Sequence, residues 1–309
     1  MKYNEWLNVW LENYVKPSAK QKTYIRYNEI VHKQIDERFE GFELNELSPI
    51  ILQQFVTELM TSGNKKTGEG LSASTVNGII TVIQNSLQTA YNLGYIQNDV
   101  SRKIKRPRLN EKQVTCFTIA EQKQIEQEVL QSKKPKMKGI LICLYTGLRI
   151  GELLALEWTD IDFSKEELSI TKTCFDGKDK NGMFCRITNT PKTDTSIRVI
   201  PIPKKLIPIL KDMKKSAKNQ YLISDSEKTL AVRSYQRSFE RLLIKLGIPK
   251  KGFHALRHTF ATRALEVGVD VKTLSEILGH KNANVTLQRY AHSMPEHKKE
   301  MMNRVGKLL

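Results

Sequence analysis

A basic, proline-containing stretch at residues 100–116 divides the chain into two parts whose apolar residues repeat with different periods. Before this stretch, apolar residues recur at helical spacing in four segments, and no strand-like alternation is present. After it, helical segments are interrupted by short alternating stretches that are typical of strands. The sequence therefore predicts a mainly α-helical chain with a small antiparallel β-sheet, divided between two domains.

The first part predicts four amphipathic helices with recognisable ends. The second helix follows Ser18, its expected N-cap. The third opens with Ser48 and Pro49, a cap followed by proline in the first turn. The fourth begins near Ser72 and ends before Gly94, a residue that commonly terminates helices. These signals predict a helical domain at residues 1–104.

The second part, residues 113–309, mixes helices and strands and is joined to the first by a basic linker at 105–112. Helices are expected at 118–131, 136–145 and 151–157, and again from residue 204 onward. The predicted strands are Leu168–Thr173, Phe184–Thr188 and Ile197–Ile202. The first two flank a Gly/Asp/Lys/Asn-rich segment, Asp176 to Gly182, which is expected to be the tip of a hairpin.

The formal net charge of +17 indicates a polyanionic partner, because a basic surface gains affinity for phosphates by releasing their counterions. Residues 1–107 carry 13 basic and 11 acidic side chains, whereas residues 108–309 carry 37 and 22. The excess therefore lies in the second part. A lysine-rich surface that serves only solubility is the alternative. An anionic membrane is a third, but no basic amphipathic helix stands out.

Targeting and cysteine signals favour the cytoplasm. No stretch approaches the roughly 18 apolar residues that a membrane span needs. The N-terminus carries acidic residues where a secretory signal has its apolar core. The four cysteines form no CxxC pair, and two of them lie in apolar stretches, as reduced buried thiols do. Phosphate-binding loops and the GxSxG motif are absent. His254 and His258 have metal-binding spacing, but no third ligand lies nearby, so we expect no metal.

What remains is a dispersed set of basic residues that ends in a tyrosine. They lie in the segments LYTGLRIGELLALEW, TPKTDTSIRVIPIP, FHALRHTFATRAL, LGHKN and TLQRYAH. Together these segments resemble the tyrosine recombinase (phage integrase) family, whose pattern runs Arg, Lys, His-x-x-Arg, His or Trp, then Tyr. The resemblance covers essentially the whole second domain, and it assigns six catalytic residues: Arg149, Lys192, His254, Arg257, His280 and Tyr290.

The chemistry of DNA strand transfer calls for these residue types. Arg149 and Arg257 are expected to bind the non-bridging phosphate oxygens, since guanidinium is a permanent planar cation. Tyr290 would be the nucleophile, and the resemblance implies Lys192 as the general acid for the departing 5′-oxygen. His254 and His280 would share proton handling and phosphate contact. The phosphotyrosyl ester conserves the energy of the broken bond, so neither a cofactor nor a metal is expected.

Other residues are assigned to supporting and DNA-binding roles. Glu152 is expected to orient Arg149 through a carboxylate contact, and His258 to cap or pack its helix. The resemblance implies a C-shaped clamp on double-stranded DNA, a homotetramer, a C-terminal tail that docks either in its own domain or in trans, and DNA-bending accessory factors. Phosphate contacts are expected from Lys103, just before the linker, and from Lys105, Arg106 and Arg108 within it.

Several functions share this scaffold. The segment from Thr171 to Ile202 resembles integrases of phages and conjugative transposons, whereas Xer-type dimer resolvases usually carry a shorter, glycine-rich version. Many integrases of mobile elements begin with an extra arm-site-binding domain, whereas this sequence starts directly with the helical domain. It therefore represents either the integrase of a simpler element or a protein whose arm-site-binding domain is missing from this sequence. A non-catalytic DNA-binding regulator predicts loss of the active positions, yet all six are filled. A type IB topoisomerase-like enzyme would instead relax DNA as a monomer.

Overall fold

The computed structural model describes residues 1–109, 114–178, 184–189, 197–226 and 230–290, together with residues 302, 303 and 306. Within these ranges, the side chains of residues 178, 184 and 288–290 are not described. The chain divides into two compact units, residues 1–112 and 113–309. Each unit has its own hydrophobic core. Across the described ranges the chain is mainly helical with small antiparallel sheets, which confirms the predicted fold class.

Unit 1 is built from helices in the four segments that the sequence predicts. Within residues 1–109 these are α1 (Tyr3–Trp10), α2 (Lys16–Ser18), α3 (Gln21–Ile30), α4 (Pro49–Ser62) and α5 (Ala73–Asn92). The π-helical turns Leu11–Val15 and Val31–Ile35 continue α1 and α3. Short 3₁₀ turns occur at Leu44–Glu46 and Val100–Lys103.

Two of the three predicted N-caps are confirmed. The hydroxyls of Ser48 and Ser72 each accept a hydrogen bond from the backbone N–H three residues further on. The prediction for Ser18 is wrong: this residue ends α2, its hydroxyl donates to the carbonyl of Tyr14, and the next helix begins only at Gln21. A serine hydroxyl can bond either a free N–H ahead of it or a carbonyl one turn behind it, and sequence does not separate the two.

The aromatic residues of α1 fix this helix against α5. Trp6 is fully buried, and its indole N–H donates to the Ser86 carbonyl at 3.1 Å. The indole of Trp10 donates to the Thr89 hydroxyl at 3.2 Å, and the Tyr3 hydroxyl lies 3.1 Å from that of Ser86. Each large apolar ring therefore buries its surface without leaving its polar atom unsatisfied.

Unit 2 combines helices with short strands. The helices are α6 (Ile119–Gln131), α7 (Pro135–Thr146), α8 (Ile150–Ala155), α9 (Ile207–Lys215), α10 (Val232–Lys245), α11 (His254–Glu266), α12 (Val271–Leu278) and α13 (Ala283–Tyr290). The strands are β1 (Ile161–Asp162), β2 (Glu167–Ile170), β3 (Thr173–Lys178), β4 (Phe184–Asn189) and β5 (Arg198–Pro201). α7 is buried from residue 139 to residue 144 and forms the centre of the core.

The sheets correct the predicted hairpin. β2 pairs with β1 and β5 in a three-stranded antiparallel sheet, whereas the partner of β4 is β3, which starts only at Thr173. The predicted strand Leu168–Thr173 therefore belongs to two different sheets. Asp176 and Gly177, expected in the hairpin tip, lie within β3. Residues 179–183 lie outside the described residues.

Asp176 joins the hairpin formed by β3 and β4 to the amino end of α10. Its carboxylate accepts a hydrogen bond from Arg186 Nε at 3.1 Å, and the backbone N–H groups of Val232 and Arg233 donate to it at 3.2 Å each. Ala231, the N-cap residue of α10, offers no side-chain cap. Asp176 therefore caps a helix that is distant in sequence, and this explains why a typical turn residue occurs in a strand.

Gly151 allows α8 to lie directly on β3. A Cβ atom at this position would lie 2.6 Å from the Thr173 hydroxyl oxygen and 2.7 Å from the Cys174 carbonyl oxygen. Because the second atom belongs to the backbone, no side-chain rotation removes the overlap. A larger residue would push α8 away from the hairpin.

We expect Gly151→Ala to lower the free energy of unfolding of unit 2 by about 2 kcal/mol, through overpacking against backbone. Hydrogen–deuterium exchange of peptides from unit 2 measures this change. Gly252→Ala is the matched control, since a Cβ there meets nothing within 4 Å, and its effect should stay within about 0.5 kcal/mol. Equal stability of the two variants would contradict the close approach of α8 to β3.

Candidate active site

The carboxyl end of α12 is closed by Gly279 in the left-handed conformation, with φ of 62°. The N–H of Gly279 donates to the Glu276 carbonyl and that of His280 to the Ser275 carbonyl, both at 3.0 Å. This pair of bonds is the Schellman motif. It occupies the carbonyls of residues 275 and 276, so the carbonyls of residues 277–279 need donors from elsewhere in the fold.

Three arginines from separate elements supply those donors. Arg198 Nε, Arg257 Nη2 and Arg149 Nη2 donate, in that order, to the carbonyls of residues 277, 278 and 279, at 2.6, 2.7 and 2.8 Å. Arg198 lies on β5, Arg257 on α11, and Arg149 immediately before α8. The negative end of the α12 dipole favours cations here. The end of one helix thus collects three guanidinium groups.

Glu152 joins two of these arginines and is only 2% exposed. One carboxylate oxygen accepts from Arg149 Nη1 at 2.7 Å and from Arg198 Nη1 at 3.2 Å. The other accepts from Arg198 Nη2 at 2.9 Å and from the backbone N–H of Arg149 at 3.0 Å. Burial raises the pKa of Glu152, but Arg198 and Arg149 outweigh burial and lower it below its usual value. Glu152 is therefore ionised at neutral pH.

Arg257 connects the carboxyl ends of two helices. Besides its bond to the end of α12, its Nη1 donates at 2.9 Å to the carbonyl of Gly147, which ends α7 in the left-handed conformation. A Cβ atom on Gly147 would lie 2.5 Å from Phe260 and 2.8 Å from Leu278. Glycine is therefore required there, and it brings the α7–α8 junction, with Arg149 two residues later, up to the end of α12.

The histidines lie at two places on this framework. His254 is the first residue of α11 and is exposed, three positions before Arg257, so the two share a helix face. The rings of His254 and His258 are in edge-to-face contact, with centroids 4.6 Å apart. His280 directly follows Gly279, and its Nδ1 lies 2.7 Å from the hydroxyl of Thr286, which is fully buried on α13.

The structure thus brings Arg149, Arg257 and His280 to the end of α12. The contact predicted between Glu152 and Arg149 is present, and His258 packs against His254 within α11. Lys192 lies outside the described residues. Tyr290 is the last residue of α13, and its side chain is among those not described. Of the predicted C-terminal tail, only residues 302, 303 and 306 are described, all as helix. The roles of these residues remain predictions.

The four predicted DNA-contacting residues of the linker, Lys103, Lys105, Arg106 and Arg108, are all exposed. Arg106 also holds the linker to α5, because its guanidinium donates to the Asn77 carbonyl at 3.2 Å and to Gln84 Oε1 at 2.5 Å. The backbone N–H of Lys105 donates to Gln53 on α4. Residues 105–107 therefore run along unit 1, and their phosphate contacts remain a prediction.

Arg198 is a site residue that the sequence prediction missed. The pattern does contain a signal: Ile200 and Ile202 are buried while Ile197 and Val199 are exposed, so alternation places Arg198 on the inward side. A charged residue in phase with buried isoleucines needs a buried partner of opposite charge. That partner, Glu152, was predicted to contact Arg149 alone.

The described residues show no alternative centre of metal or thiol chemistry. Among them, no group of three His, Cys, Asp or Glu side chains is arranged to hold a metal ion. All four cysteines are free thiols. Burial raises the pKa of the Cys143 thiol well above its usual value, and that of Cys174 to about 11. No helix within the described ranges is long and apolar enough to cross a membrane.

The arrangement is suited to stabilising negative charge on an oxyanion. Arg149 and Arg257 are fixed on neighbouring carbonyls, with Arg257 only 2% exposed. A guanidinium group in a poorly solvated place, such as that of Arg257, attracts a developing anion more strongly than it would in water, and a group already held in place needs no rearrangement when the anion forms. A phosphate whose bonds are being exchanged develops such charge. The arrangement could therefore serve phosphoryl transfer.

We expect Glu152→Gln to lower the free energy of unfolding by about 3 kcal/mol at neutral pH, because it leaves Arg198 buried beside a neutral amide. Since folding lowers the pKa of Glu152, the ionised carboxylate stabilises fully above the unfolded pKa of about 4.3 and loses this effect as pH falls further. The difference between wild type and variant should therefore shrink below pH about 4.3. Denaturant unfolding across pH 3–7 measures it; a pH-independent difference would contradict the ion pair.

Comparisons with known proteins identify the family to which the chain is similar. The profile of the phage integrase family matches residues 107–297, and that of the phage integrase N-terminal SAM-like domain matches residues 2–60. A "Tyrosine recombinase XerC-like" protein of Caldanaerobacter subterraneus subsp. tengcongensis is 30% identical, covering 94% of this chain and 79% of the relative. The ICEBs1 integrase of Bacillus subtilis is 26% identical over the same shares.

Solved structures share the fold. A fragment of the Tn1549 transposon integrase in complex with circular intermediate DNA superimposes with a TM-score of 0.80 at 20% identity, covering 99% of this chain and 100% of that chain. A lambda integrase dimer bound to a COC′ core site gives a TM-score of 0.72 at 20% identity, covering 96% and 98%. The profile match over most of the chain and the relative at 30% identity together show that this protein belongs to the phage integrase family of tyrosine recombinases.

Proposed function

We propose that this protein is a site-specific DNA recombinase that integrates and excises a mobile element. The observation that carries the proposal is the pair of guanidinium groups, Arg149 and Arg257, fixed on successive carbonyls at the end of α12 with His280 beside them. Family membership supports the reaction type. The matches to the ICEBs1 and Tn1549 integrases support the mobile-element role.

The proposed reaction proceeds in two balanced steps. The phenolate oxygen of Tyr290 attacks the scissile phosphorus, the bond from phosphorus to the 5′-oxygen breaks, and a 3′-phosphotyrosyl ester forms. Lys192 gives its proton to the departing 5′-oxygen. In the second step, the 5′-hydroxyl of a partner strand gives its proton to Lys192 and its oxygen attacks the ester. The bond from phosphorus to the Tyr290 oxygen breaks, which releases the phenolate. Because one phosphoester replaces another at each step, the reaction needs no ATP. Arg149, Arg257 and Lys192 would supply the positive charge and the proton that a metal ion and its bound water could otherwise provide, so we propose no metal ion.

Arg149 and Arg257 would stabilise the negative charge that develops on the phosphate oxygens in the transition state of each step. Arg149 and Arg257 would each donate to a non-bridging oxygen as the phosphorus becomes five-coordinate. Removing one such preorganised donor costs on the order of 3 kcal/mol of transition-state stabilisation, or about a hundredfold in rate. His254, exposed on the face of α11 that carries Arg257, and His280 would add hydrogen bonds to the same phosphate and help move the tyrosine proton.

Double-stranded DNA is the proposed partner of both units. The excess of positive charge in residues 108–309 and the exposed linker residues Lys103, Lys105 and Arg108 suit the phosphate backbone. Four strands are exchanged in pairs, so we propose a homotetramer on two DNA sites, with the C-terminal tail docking either in its own unit or on a neighbour. The lambda integrase tetramer bound to a Holliday junction supports this assembly. Accessory bending proteins and a cytoplasmic location belong to the same proposal.

A Xer-type dimer resolvase is the second candidate, favoured by the XerC-like relative at 30% identity. The two roles differ in their DNA products. An integrase produces a circular intermediate of its element and inserts that circle elsewhere, whereas a resolvase converts a plasmid or chromosome dimer into monomers. Amplification across the joined ends of the excised element distinguishes them.

Tyr290→Phe should abolish covalent attachment without loss of DNA binding. The substrate is a suicide duplex nicked near the cleavage point, so that the freed fragment diffuses away and religation fails. Wild type should form an adduct that survives denaturant, as should Tyr221→Phe, the matched control for removing a phenol hydroxyl from unit 2. An adduct that persists in Tyr290→Phe would identify a different nucleophile.

Lys192→Ala should slow cleavage of ordinary DNA by about a hundredfold, since the 5′-oxygen then leaves without a proton. A substrate with sulfur at the 5′-bridging position should restore most of the rate, because a thiolate leaves unassisted. The measurement is the ratio of single-turnover cleavage rates on the two substrates. In the control Lys165→Ala this ratio should equal that of wild type. A Lys192→Ala variant that is equally slow on both substrates would exclude the general-acid role.

A further inference from the structure

Arg198 is the more buried of the two arginines that pair with Glu152, with its side chain only 6% exposed. It reaches the site from β5, where Ile200 and Ile202 follow it on the same inward side. Its three nitrogen atoms are all used: Nε on the carbonyl of residue 277, and Nη1 and Nη2 on the two carboxylate oxygens of Glu152. Planar guanidinium makes such a paired contact, which the single ammonium group of lysine cannot reproduce.

The contact passes directly to Arg149. The same Glu152 carboxylate that accepts from Arg198 also accepts from Arg149 Nη1 and from the backbone N–H of Arg149. Arg149 is 35% exposed and so is less constrained by its own surroundings. Its direction depends on two anchors, Glu152 and the carbonyl of Gly279. Arg198 donates to the first anchor, Glu152. It also donates to the carbonyl of residue 277, two residues before Gly279, the second anchor.

The backbone around this contact leaves little room for adjustment. A Cβ atom on Gly279 would lie 2.9 Å from Arg198 Nη1 and 3.2 Å from its Cδ and Cζ. Glycine at this position therefore serves two purposes, the left-handed turn that closes α12 and the close passage of Arg198. The guanidinium of Arg198 fills the space between α8 and the end of α12.

We infer that Arg198 is a positioning residue for the DNA cleavage step, which acts by fixing Glu152 and the end of α12 so that Arg149 points at the scissile phosphate. This inference rests on the proposed function of the same site. Arg198 itself would not contact DNA. Its loss would displace the Arg149 guanidinium, and a displacement of about 1 Å at a reacting group costs about a hundredfold in rate.

Arg198→Lys is the variant that tests the inference. It keeps a cation beside the buried carboxylate, so the fold should persist, but it removes the paired contact to Glu152. Arg263→Lys is the matched control, because Arg263 lies in the same unit on α11 and donates to the Phe117 carbonyl, away from the end of α12. Thermal unfolding and DNA affinity are measured for both. Each should bind DNA within about twofold of wild type.

The decisive readout compares two suicide substrates, one with the natural phosphate and one with a methylphosphonate at the scissile position. The methyl group replaces a charged oxygen, so the neutral substrate depends less on a correctly placed cation. We expect Arg198→Lys to cleave the natural substrate about ten- to a hundredfold more slowly than wild type, with at least a fivefold smaller loss on the methylphosphonate. Arg263→Lys should show no difference between the two substrates.

Two results would overturn the inference: Arg198→Lys cleaving the natural substrate at the wild-type rate, or losing the same factor on both substrates. If Arg198→Lys is unfolded at the assay temperature, Arg198→Gln, in which Glu152 keeps its ion pair with Arg149, takes its place in the same comparison. Failure of the proposed function looks different, because wild type itself would then form no Tyr290-dependent adduct on the natural substrate.

Discussion

The carboxyl end of α12 is the point on which the site depends. A helix that ends inside a protein leaves carbonyl oxygens that must find donors. Here guanidinium groups from β5, α11 and the α7–α8 junction supply them on three successive residues. One requirement of backbone hydrogen bonding therefore gathers three side chains that together span more than a hundred residues of sequence. Glu152 pairs with two of the three guanidinium groups and neutralises one unit of their charge, which lowers the cost of burying the cluster.

The parts of the fold that local patterns control could be predicted from sequence. Helix periodicity located the helices of unit 1, and serine caps at Ser48 and Ser72 marked two of their starts. Ser18 was misassigned because its hydroxyl has two local options of similar energy. The hairpin was misassigned for a different reason. Asp176 has turn chemistry, but its carboxylate caps α10, a partner that no local pattern reveals.

The candidate site was predictable to the extent that its residues form a compound motif. Arg149, Arg257 and His280 do converge, and Glu152 does contact Arg149. The common anchor was not predictable, since carbonyl groups carry no sequence signal and their exposure depends on where α12 ends. Arg198 was missed because an arginine between exposed Ile197 and Val199 looks like part of a solvated strand edge. Only the alternation along the strand, which places Arg198 on the same side as buried Ile200 and Ile202, indicates that its side chain points inward.

The burial of Arg257 separates two responses of the protein to ionic strength. Charges on exposed lysines and arginines are screened over a Debye length of about 8 Å at physiological salt, whereas charges inside the protein are screened far less. Arg257 is 2% exposed and is held by the carbonyls of two helix ends. In the proposed reaction, added salt should therefore weaken the encounter with DNA while leaving the attraction between this guanidinium and a bound phosphate nearly intact.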